Sequence, residues 1–269
     1  LIAVGGDGTL SFACQWRQKR ELDFPIGIIP AGTGNNMAQY LAIPMDLESA
    51  LKVALESTGR QRLDLIRIEA KDSAAKSSET YWAMQSASLG FPSDVAESYT
   101  DLRKNFFGRL LLTPLGLFAY KLLAFIHLLR YSVNAVRIAR RIHMKTSLKE
   151  LPIDENIFAL FIGNERSTGG DFIPCPLAKI DDGKADFCFI RDLPASRYPK
   201  IFKAVSHGVH IGLPDEVIYH QTDKDWTLQL SRNAALNLDG DIVANHSTYS
   251  FGVEKLRLEL IIQESTIRP

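Results

Sequence analysis

The stretch that decides the fold is Leu1-Ile2-Ala3-Val4-Gly5-Gly6-Asp7-Gly8-Thr9, at the start of the 269-residue sequence. Its apolar first part predicts the end of a buried strand, and residues 10–16 predict the start of a helix. Glycines between a strand and a helix let the backbone turn tightly and bring N–H groups close to a ligand. A helix N-terminus favours phosphate, and the carboxylate of Asp7 beside it suggests a nucleotide phosphate with Mg²⁺.

A second glycine-rich loop, Ala31-Gly32-Thr33-Gly34-Asn35-Asn36, follows the apolar run at residues 25–30 and precedes a helical pattern at residues 37–41. Neither loop is a Walker A sequence or a dinucleotide GxGxxG fingerprint. Two successive strand–loop–helix units predict adjacent parallel strands with both loops at one sheet edge. The pair therefore predicts a polar crevice, with Thr33 and Asn35 as hydrogen-bonding groups.

The two loops together, GGDGT followed by IPAGTGNN, resemble the nucleotide-binding half of the diacylglycerol kinase catalytic family, which includes sphingosine kinases and bacterial lipid kinases. Later motifs resemble those of the family in the same order over essentially the whole chain. They are Gly90-Phe91 with Asp94-Val95, Gly163-Asn164, Gly169-Gly170-Asp171-Phe172, Pro174, Pro176-Leu177-Ala178, Asp181-Asp182-Gly183-Lys184-Ala185-Asp186 and Asn237-Leu238-Asp239-Gly240-Asp241. The resemblance implies that a further strand–helix–strand unit normally stands before GGDGT.

The expected architecture has two parts. The resemblance implies an α/β nucleotide-binding domain with a partial parallel sheet at residues 1–62. A mainly antiparallel β-sandwich domain for the lipid substrate, with an inserted apolar helix, is expected at residues 63–269. Short strand-like runs after residue 156, separated by Gly, Asp and Pro, also favour an antiparallel sandwich.

The resemblance also implies roles for individual residues. Asp7 would orient Mg²⁺ in an acidic network with Asp64 and the position of Asn36, and Asp241 would be the catalytic general base. Lipid contacts would come from Gly90, Phe91 and Asp94, and a structural Mg²⁺ would bind Asp182 with the backbone oxygens of Lys179 and Lys184. For Asp182-Gly183 a plain turn is the alternative interpretation. The expected nucleotide-binding residues are Gly5, Gly6, Asp7, Gly8, Thr9, Gly32, Thr33, Gly34 and Asn35.

Three positions depart from the family pattern. Asn36 stands where the family has an acid, and Asp241 stands where it has a glutamate, which is longer by one methylene. Ser11-Phe12 replaces a more usual Asn-Glu pair. General-base catalysis is sensitive to reach, so these changes raise the question of how active the site is.

The middle of the chain is basic and apolar. Residues 103–149 contain ten Lys/Arg and no acidic residue, and residues 110–129 form a long apolar run. Pro114, Gly116, Lys121 and His127 argue against a membrane span, so a buried helix that walls an acyl-chain pocket is predicted. Two interpretations of the charge stay open. In the first, the cations of Arg137, Arg140 and Arg141 would attract an anionic membrane. In the second, the segment is a core helix followed by an Arg-rich solvated strand at residues 136–144.

Composition narrows the class of protein. The net charge is zero, so nucleic acid is not an expected partner. Cys14, Cys175 and Cys188 are far apart and predict buried thiols in a reducing compartment, which suits a cytoplasmic, peripherally membrane-associated protein.

The leading functional hypothesis is an ATP- and Mg²⁺-dependent kinase for a membrane lipid alcohol of the diacylglycerol or sphingoid type. The alternative is a catalytically weakened module that binds lipid or nucleotide for regulation. An NAD kinase, whose relatives also carry a GGDG loop, is disfavoured by the second glycine loop and the lipid-pocket motif. The acceptor lipid and the oligomeric state stay open.

Overall fold

The computed structural model describes residues 1–71, 78–104, 106–168 and 172–264. For residues 103, 106–117 and 134–135 it describes the backbone but not the side chains. The motif residues Gly169, Gly170 and Asp171 lie outside these ranges.

The N-terminal unit consists of two strand–loop–helix units and one further helix. In chain order they are β1 (Ile2–Gly5), α1 (Asp7–Lys19), β2 (Gly27–Pro30), α2 (Asn36–Tyr40) and α3 (Leu47–Glu56). Strands β1 and β2 pair in parallel, from Ile2 opposite Gly27 to Gly5 opposite Pro30. Both glycine loops therefore leave the sheet at the same edge, as predicted. Asp46 caps α3, because its carboxylate accepts the backbone N–H of Ser49 at 2.9 Å.

The remaining strands build one nine-stranded sheet whose described pairings are all antiparallel. They are β3 (Arg60–Lys71), β4 (Glu79–Ala83), β5 (Ser86–Gly90), β6 (Ile142–Thr146), β7 (Asp154–Gly163), β8 (Ala185–Arg191), β9 (Val217–Thr222), β10 (Trp226–Leu238) and β11 (Asp241–Ile261). The order is β4-β3-β11-β10-β5-β7-β8-β9, and β6 also pairs with β10 and β7.

The sheet folds over so that β8 faces β10 and β11 across an apolar core. Phe187 on β8 lies 4.8 Å from Trp226 on β10 and 5.6 Å from Phe251 on β11, measured between ring centroids. These strands are not neighbours in the sheet, so their contact requires two facing layers. The antiparallel β-sandwich expected from the sequence is confirmed.

The two units share a core near the C-terminal end of β11. Ile26 forms an isolated parallel bridge with Leu260, and both are fully buried. Leu63, Leu258 and Ile262 belong to the same hydrophobic cluster. The division of the chain between residues 62 and 63 stays a prediction, and the packing joins the two sides of that boundary.

Three helices are inserted between β5 and β6: α4 (Phe91–Lys104), α5 (Phe106–Tyr131) and α6 (Asn134–Arg140). The inserted apolar helix is therefore present as α5. The strand predicted at residues 136–144 is wrong, because residues 134–140 are helical and only Ile142 begins β6. Alanine and arginine, which favour helices, make up four of the seven residues of α6. A further helix, α7 (Tyr198–Ser206), lies between β8 and β9.

No helix within the described residues combines the length and the apolar character needed to cross a bilayer. The three cysteines are free and buried, as expected from their spacing.

Candidate functional site

The two glycine loops lie in direct backbone contact. A Cβ atom added to Gly32 would lie 2.4 Å from the Cα of Gly6, which no real side chain could tolerate. The backbone N–H of Ala31 donates to the carbonyl of Gly5 at 2.9 Å. Glycine is therefore required at this crossing for close approach, and the loops form one continuous rim.

Asp7, the first residue of α1, fastens one loop to the other. Its carboxylate accepts the backbone N–H groups of Asn36 at 3.0 Å and Met37 at 3.1 Å, at the start of α2. The side-chain amide of Gln85 donates to it at 3.0 Å. Two helix N-termini favour a negative charge here, so the carboxylate that looks unfavourable beside a phosphate is held in place by backbone donors.

Asn35 has a structural task inside the second loop. Its backbone adopts the left-handed conformation with φ of 53°, which asparagine tolerates better than most residues. Its buried side-chain oxygen accepts the N–H of Gly32 at 3.0 Å, and its amide donates to the carbonyl of Gly32 at 2.9 Å. The side chain of Thr33, by contrast, is exposed on the loop.

Asp239, which the sequence analysis quoted in a motif but gave no role, organises the wall opposite the loops. Its carboxylate accepts the backbone N–H groups of Met84, Gln85 and Ser86 and the hydroxyl of Ser11. Ser11 is one of the departures from the family pattern, and this bond at 2.9 Å gives it a partner. Burial raises the pKa of Asp239 above its usual range.

Asp241 lies beside the first glycine loop with its side chain exposed. A Cβ atom added to Gly8 would be 3.6 Å from the Oδ2 atom of Asp241. Among the described residues, Asp241 has no side-chain hydrogen bond and no ion pair, whereas Asp239 has four donors. The structure thus places a free carboxylate at the loop where the sequence analysis expects the general base.

A single cavity of about 850 Å³ connects the loops with an apolar chamber between α4, α5 and the sheet. Its polar end is lined by Asp7, Thr33, Gly34, Asn36, Gln85 and Asp239. Its apolar end is lined by Phe91, Val95, Leu128, Phe161, Phe172 and Phe202. Pockets that take small molecules have this composition, with apolar walls and a few convergent polar groups.

Of the three predicted lipid-contact residues, one lines the cavity and two do not. Phe91 lines the chamber and stacks on Phe158, with 4.5 Å between ring centroids. Gly90 turns the chain from β5 into α4 with φ of 82°, and a Cβ there would lie 2.7 Å from the carbonyl oxygen of Phe158. Asp94 is paired with Arg140 at 2.8 Å and does not line the cavity.

Asp64, expected in an acidic network with Asp7, makes no direct hydrogen bond to Asp7 among the described residues. Asp64 is fully buried and its carboxylate accepts the backbone N–H groups of Gly183 at 2.6 Å and Leu256 at 2.7 Å. Leu256 has φ of 50° at a register shift in β11, so Asp64 stabilises an irregular turn of the chain. These two partners lie outside the glycine loops, and the acidic network of Asp7, Asp64 and Asn36 stays a prediction.

The proposed structural metal site at Asp182 has the local geometry of a turn. The Oδ1 atom of Asp182 accepts the backbone N–H of Lys184 at 3.1 Å, and Lys179, Asp182 and Lys184 are all exposed. Among the described residues, no group of three or more His, Cys, Asp or Glu side chains is arranged to hold a metal ion. A metal at Asp182 stays a prediction.

Glu165, which the sequence analysis did not single out, is a buried acid behind the site. It is 5% exposed, and its backbone N–H donates to the carbonyl of Gln85 at 3.0 Å. Its Oε2 atom has no hydrogen-bond partner among the described residues. Burial, with Asp7 and Asp239 nearby, raises the pKa of Glu165 to about 7.

The three arginines expected to attract an anionic membrane all have internal partners. Arg140 pairs with Asp94 and Arg141 pairs with Asp192 at 2.5 Å. Arg137 donates to the carbonyl of Leu193 at 3.3 Å. Two of the three charges are paired with acids and Arg137 is held by a carbonyl, so an attraction to lipid headgroups cannot rest on them.

Comparison with known proteins gives consistent results at the level of sequence and of fold. A sequence profile of the diacylglycerol kinase catalytic domain matches residues 1–68. A Xanthomonas axonopodis protein named "Probable lipid kinase YegS-like" is 29% identical over 247 residues, which cover 90% of this chain and 72% of that protein. A Mycobacterium tuberculosis protein named "Diacylglycerol kinase" is 28% identical over 217 residues, which cover 81% of this chain and 62% of that protein.

Solved structures with the same fold include a diacylglycerol kinase of Bacillus anthracis, with a TM-score of 0.63 and 12% identity, over 99% of this chain and 77% of that one. A yeast NADH kinase also matches, with a TM-score of 0.51 and 13% identity, over 99% of this chain and 62% of that one. The chain is therefore similar to the diacylglycerol kinase catalytic domain over residues 1–68, and the two glycine loops that meet at Gly6 and Gly32 lie within that match.

Proposed function

We propose that the protein is a lipid kinase that transfers the γ-phosphate of ATP to the hydroxyl of a membrane lipid alcohol of the diacylglycerol or sphingoid type. The observation that carries the proposal is the single cavity of about 850 Å³ with the glycine loops at one end and aromatic side chains at the other. A phosphate donor and an apolar acceptor bound at these two ends would meet inside one enclosure.

The nucleotide half of the proposal rests on the crossed loops. Two helix N-termini and glycine backbones that approach within contact distance favour phosphate groups. Thr33 and Gly34 line the cavity beside Asp7 and can contact a bound phosphate. Asn35 contributes indirectly, because both ends of its side-chain amide hold the loop closed.

Mg²⁺ fits this site as an ion shared with the nucleotide. Mg²⁺ is usually held by one or two carboxylates together with substrate phosphates. The carboxylate of Asp7 accepts three N–H donors and has about four acceptor positions, so room for one further contact remains. When bound, the ion would neutralise charge on the phosphates during transfer.

Asp241 would accept the proton of the lipid hydroxyl. The new bond forms between the lipid oxygen and the γ-phosphorus, the bond from that phosphorus to the β-phosphate oxygen breaks, and ADP leaves. A general base must be ionised and unobstructed, and within the described structure Asp241 is free of partners whereas Asp239 is not.

The apolar chamber is suited to the chains of the acceptor but does not by itself select the headgroup. The resemblance implies that Asp94 contacts the lipid. Its carboxylate is instead paired with Arg140. A diacylglycerol and a sphingoid alcohol therefore remain joint candidates, and an anionic bilayer is the surface on which we expect the enzyme to find them.

The proposal is tested with radiolabelled ATP and a panel of lipid alcohols in mixed micelles. We expect label in at least one lipid product that depends on a divalent cation. If ATP binds but no lipid becomes labelled, the enzyme proposal fails and the regulatory-module alternative takes its place.

The two family departures at the site separate these candidates further. The side chain of Asn36 lies beside Gly34 on the face that Asp7 also contacts, so Asn36→Asp would add a second carboxylate there. Asp241→Glu would extend the base by one methylene. We expect no gain from the double variant in a working enzyme, whereas a weakened descendant would gain activity.

A further inference from the structure

Helix α5 presents a continuous apolar stripe to solvent. Its described outward-facing residues recur at intervals of three and four, which places them on one face of a helix with 3.6 residues per turn. Their exposed fractions run from 39% to 64%. They are Phe118, Leu122, Phe125, Ile126, Leu129 and, just past the end of the helix, Val133.

The opposite face of α5 is fixed on the protein. His127 is buried and its Nε2 atom lies 2.9 Å from the hydroxyl of Ser98 on α4. The hydroxyl of Tyr120 donates to the carbonyl of Pro92 at 3.4 Å. Because these contacts set the rotation of the helix, the stripe faces outward as a consequence of the fold.

Two free cations border the stripe. Lys121 precedes Leu122 and Arg130 follows Leu129, and each residue turns the helix by about 100°, so the cations lie on opposite margins. Both side chains are exposed, and neither has an ion pair or hydrogen bond within the described structure.

The acids of the neighbouring helix α4 are compensated. Asp94 is paired with Arg140, and Asp101 with Lys104 at 2.8 Å. Glu97 also lies near Lys104 and raises the pKa of that amine together with Asp101. The surface that borders the stripe is therefore positive at Lys121 and Arg130, which favours an anionic occupant.

The stripe also reaches the opening of the cavity. Lys121 and Phe125 line the cavity together with Ala124 and Leu128 of the same helix, and Phe125 is also 56% exposed on the outer face. A lipid whose chains leave a bilayer beside α5 would therefore pass directly from membrane to chamber.

We propose that α5 docks on the surface of an anionic bilayer, with its apolar stripe inserted at the headgroup level, and that the lipid substrate enters the cavity past Lys121 and Phe125. An amphipathic helix with cations on its margins binds in the plane of such an interface. The route of entry rests on the proposed lipid kinase function, whereas the docking itself does not.

The test measures binding of the full chain to phosphatidylcholine vesicles with and without phosphatidylglycerol. The wild type is expected to bind the anionic vesicles more tightly, and less so at high salt. Leu122→Gln with Leu129→Gln is expected to weaken binding about tenfold or more, because it removes apolar area from the stripe. Lys121→Gln with Arg130→Gln is expected to cost about fivefold per cation and to abolish the preference for anionic lipid.

The matched control is Leu51→Gln with Leu55→Gln on α3, whose side chains are 40% and 64% exposed on the other unit. We expect it to bind vesicles like the wild type. Equal loss in the control and stripe variants, or no loss in either, would overturn the docking site. So would a dimer in solution that Leu122→Gln with Leu129→Gln dissociates, because the stripe would then be an interface between two copies.

A second readout separates this proposal from the proposed function. The stripe variant leaves the cavity lining intact, so it should phosphorylate a short-chain lipid alcohol in solution at the wild-type rate and lose activity on vesicles. If the protein and its variants bind vesicles as predicted but no lipid is labelled, the kinase proposal is refuted and the docking site is supported. If all variants phosphorylate lipid in vesicles at equal rates, the docking site is refuted and the kinase proposal is supported.

Discussion

The carboxylate of Asp7 accepts a hydrogen bond from the backbone N–H of Asn36 at 3.0 Å, which fastens the first glycine loop to the second. The bond joins residues 29 positions apart and lies at the start of two helices. It explains how an acid can belong to a site proposed for phosphate. Three N–H donors stabilise the carboxylate without a nucleotide, and one acceptor position would remain for the proposed cation.

The crossing of the loops predicts that any side chain at position 32 destabilises the protein. Gly32→Ala would place a methyl group 2.4 Å from the Cα of Gly6, so the loops must separate. We expect a loss of about 1–3 kcal/mol in the free energy of unfolding and a weakening of ATP binding, measured by thermal denaturation and calorimetry. Gly212→Ala is the control, because a Cβ there meets nothing within 4 Å. Equal behaviour of the two variants would contradict the crossing.

Glu165 predicts how stability changes with pH. An unfolded glutamate has a pKa near 4.3, whereas burial raises the pKa of Glu165 to about 7, so the folded protein retains a proton that the unfolded chain has lost. The free energy of unfolding should therefore fall as pH rises from about 4.5 to above 7, by on the order of 3 kcal/mol. Glu165→Gln should remove this part of the decline.

The measurement for Glu165 is urea denaturation of wild type and variant over that pH range. Asp186, whose pKa burial raises to about 6, contributes a decline of the same sign, so the difference between the two proteins is the relevant quantity. Glu48→Gln, an exposed position on α3, serves as the control. If wild type and Glu165→Gln change in parallel, the acid is not protonated in the folded protein.

The apolar chamber predicts an effect of chain length. Ala124 lines the cavity, so Ala124→Phe would fill part of it and should raise the KM for long-chain lipid alcohols more than for short ones. ATP affinity should stay unchanged, because the substitution lies away from the loops. Ala139→Phe on the exposed side of α6 is the matched control. A uniform loss for all chain lengths would argue that the chains bind elsewhere.

The sequence best predicts the structural elements that are determined by residues close together along the chain. Glycines between short apolar runs and helical patterns predict both loops and the parallel pair of β1 and β2. Short strand-like runs after residue 156, separated by Gly, Asp and Pro, predict the antiparallel strands. In each case the signal and the structure it specifies lie within a few residues of each other, so local conformational preference is sufficient.

Prediction fails where a residue finds its partner far along the chain. Arg140 pairs with Asp94, 46 residues away, and Arg141 pairs with Asp192, 51 residues away, so counting cations in the basic segment overestimates its free charge. The hydrogen bond that Asp64 accepts from Gly183 likewise spans 119 residues. Such pairings are decided by the register of the large sheet, which no local pattern encodes.

Single polar residues inside apolar surroundings are a second class of functional residue that sequence patterns do not predict. Gln85 joins Asp7, Asp239 and Glu165 through its amide and backbone, yet it carries no motif. Only the last motif, which contains Asp239, offered a signal for the wall opposite the loops.

The most direct test of the account is transfer of radiolabel from the γ-phosphate of ATP to lipid alcohols by the wild type and by Asp7→Asn, in mixed micelles. The variant keeps the shape of the side chain but removes the charge that holds Asn36 and Met37 and that would face the cation. We predict a labelled lipid with the wild type and a loss of at least about a hundredfold with Asp7→Asn. Lipid labelling at equal rates by both proteins, or no labelled lipid with a wild type that binds ATP, would contradict the account.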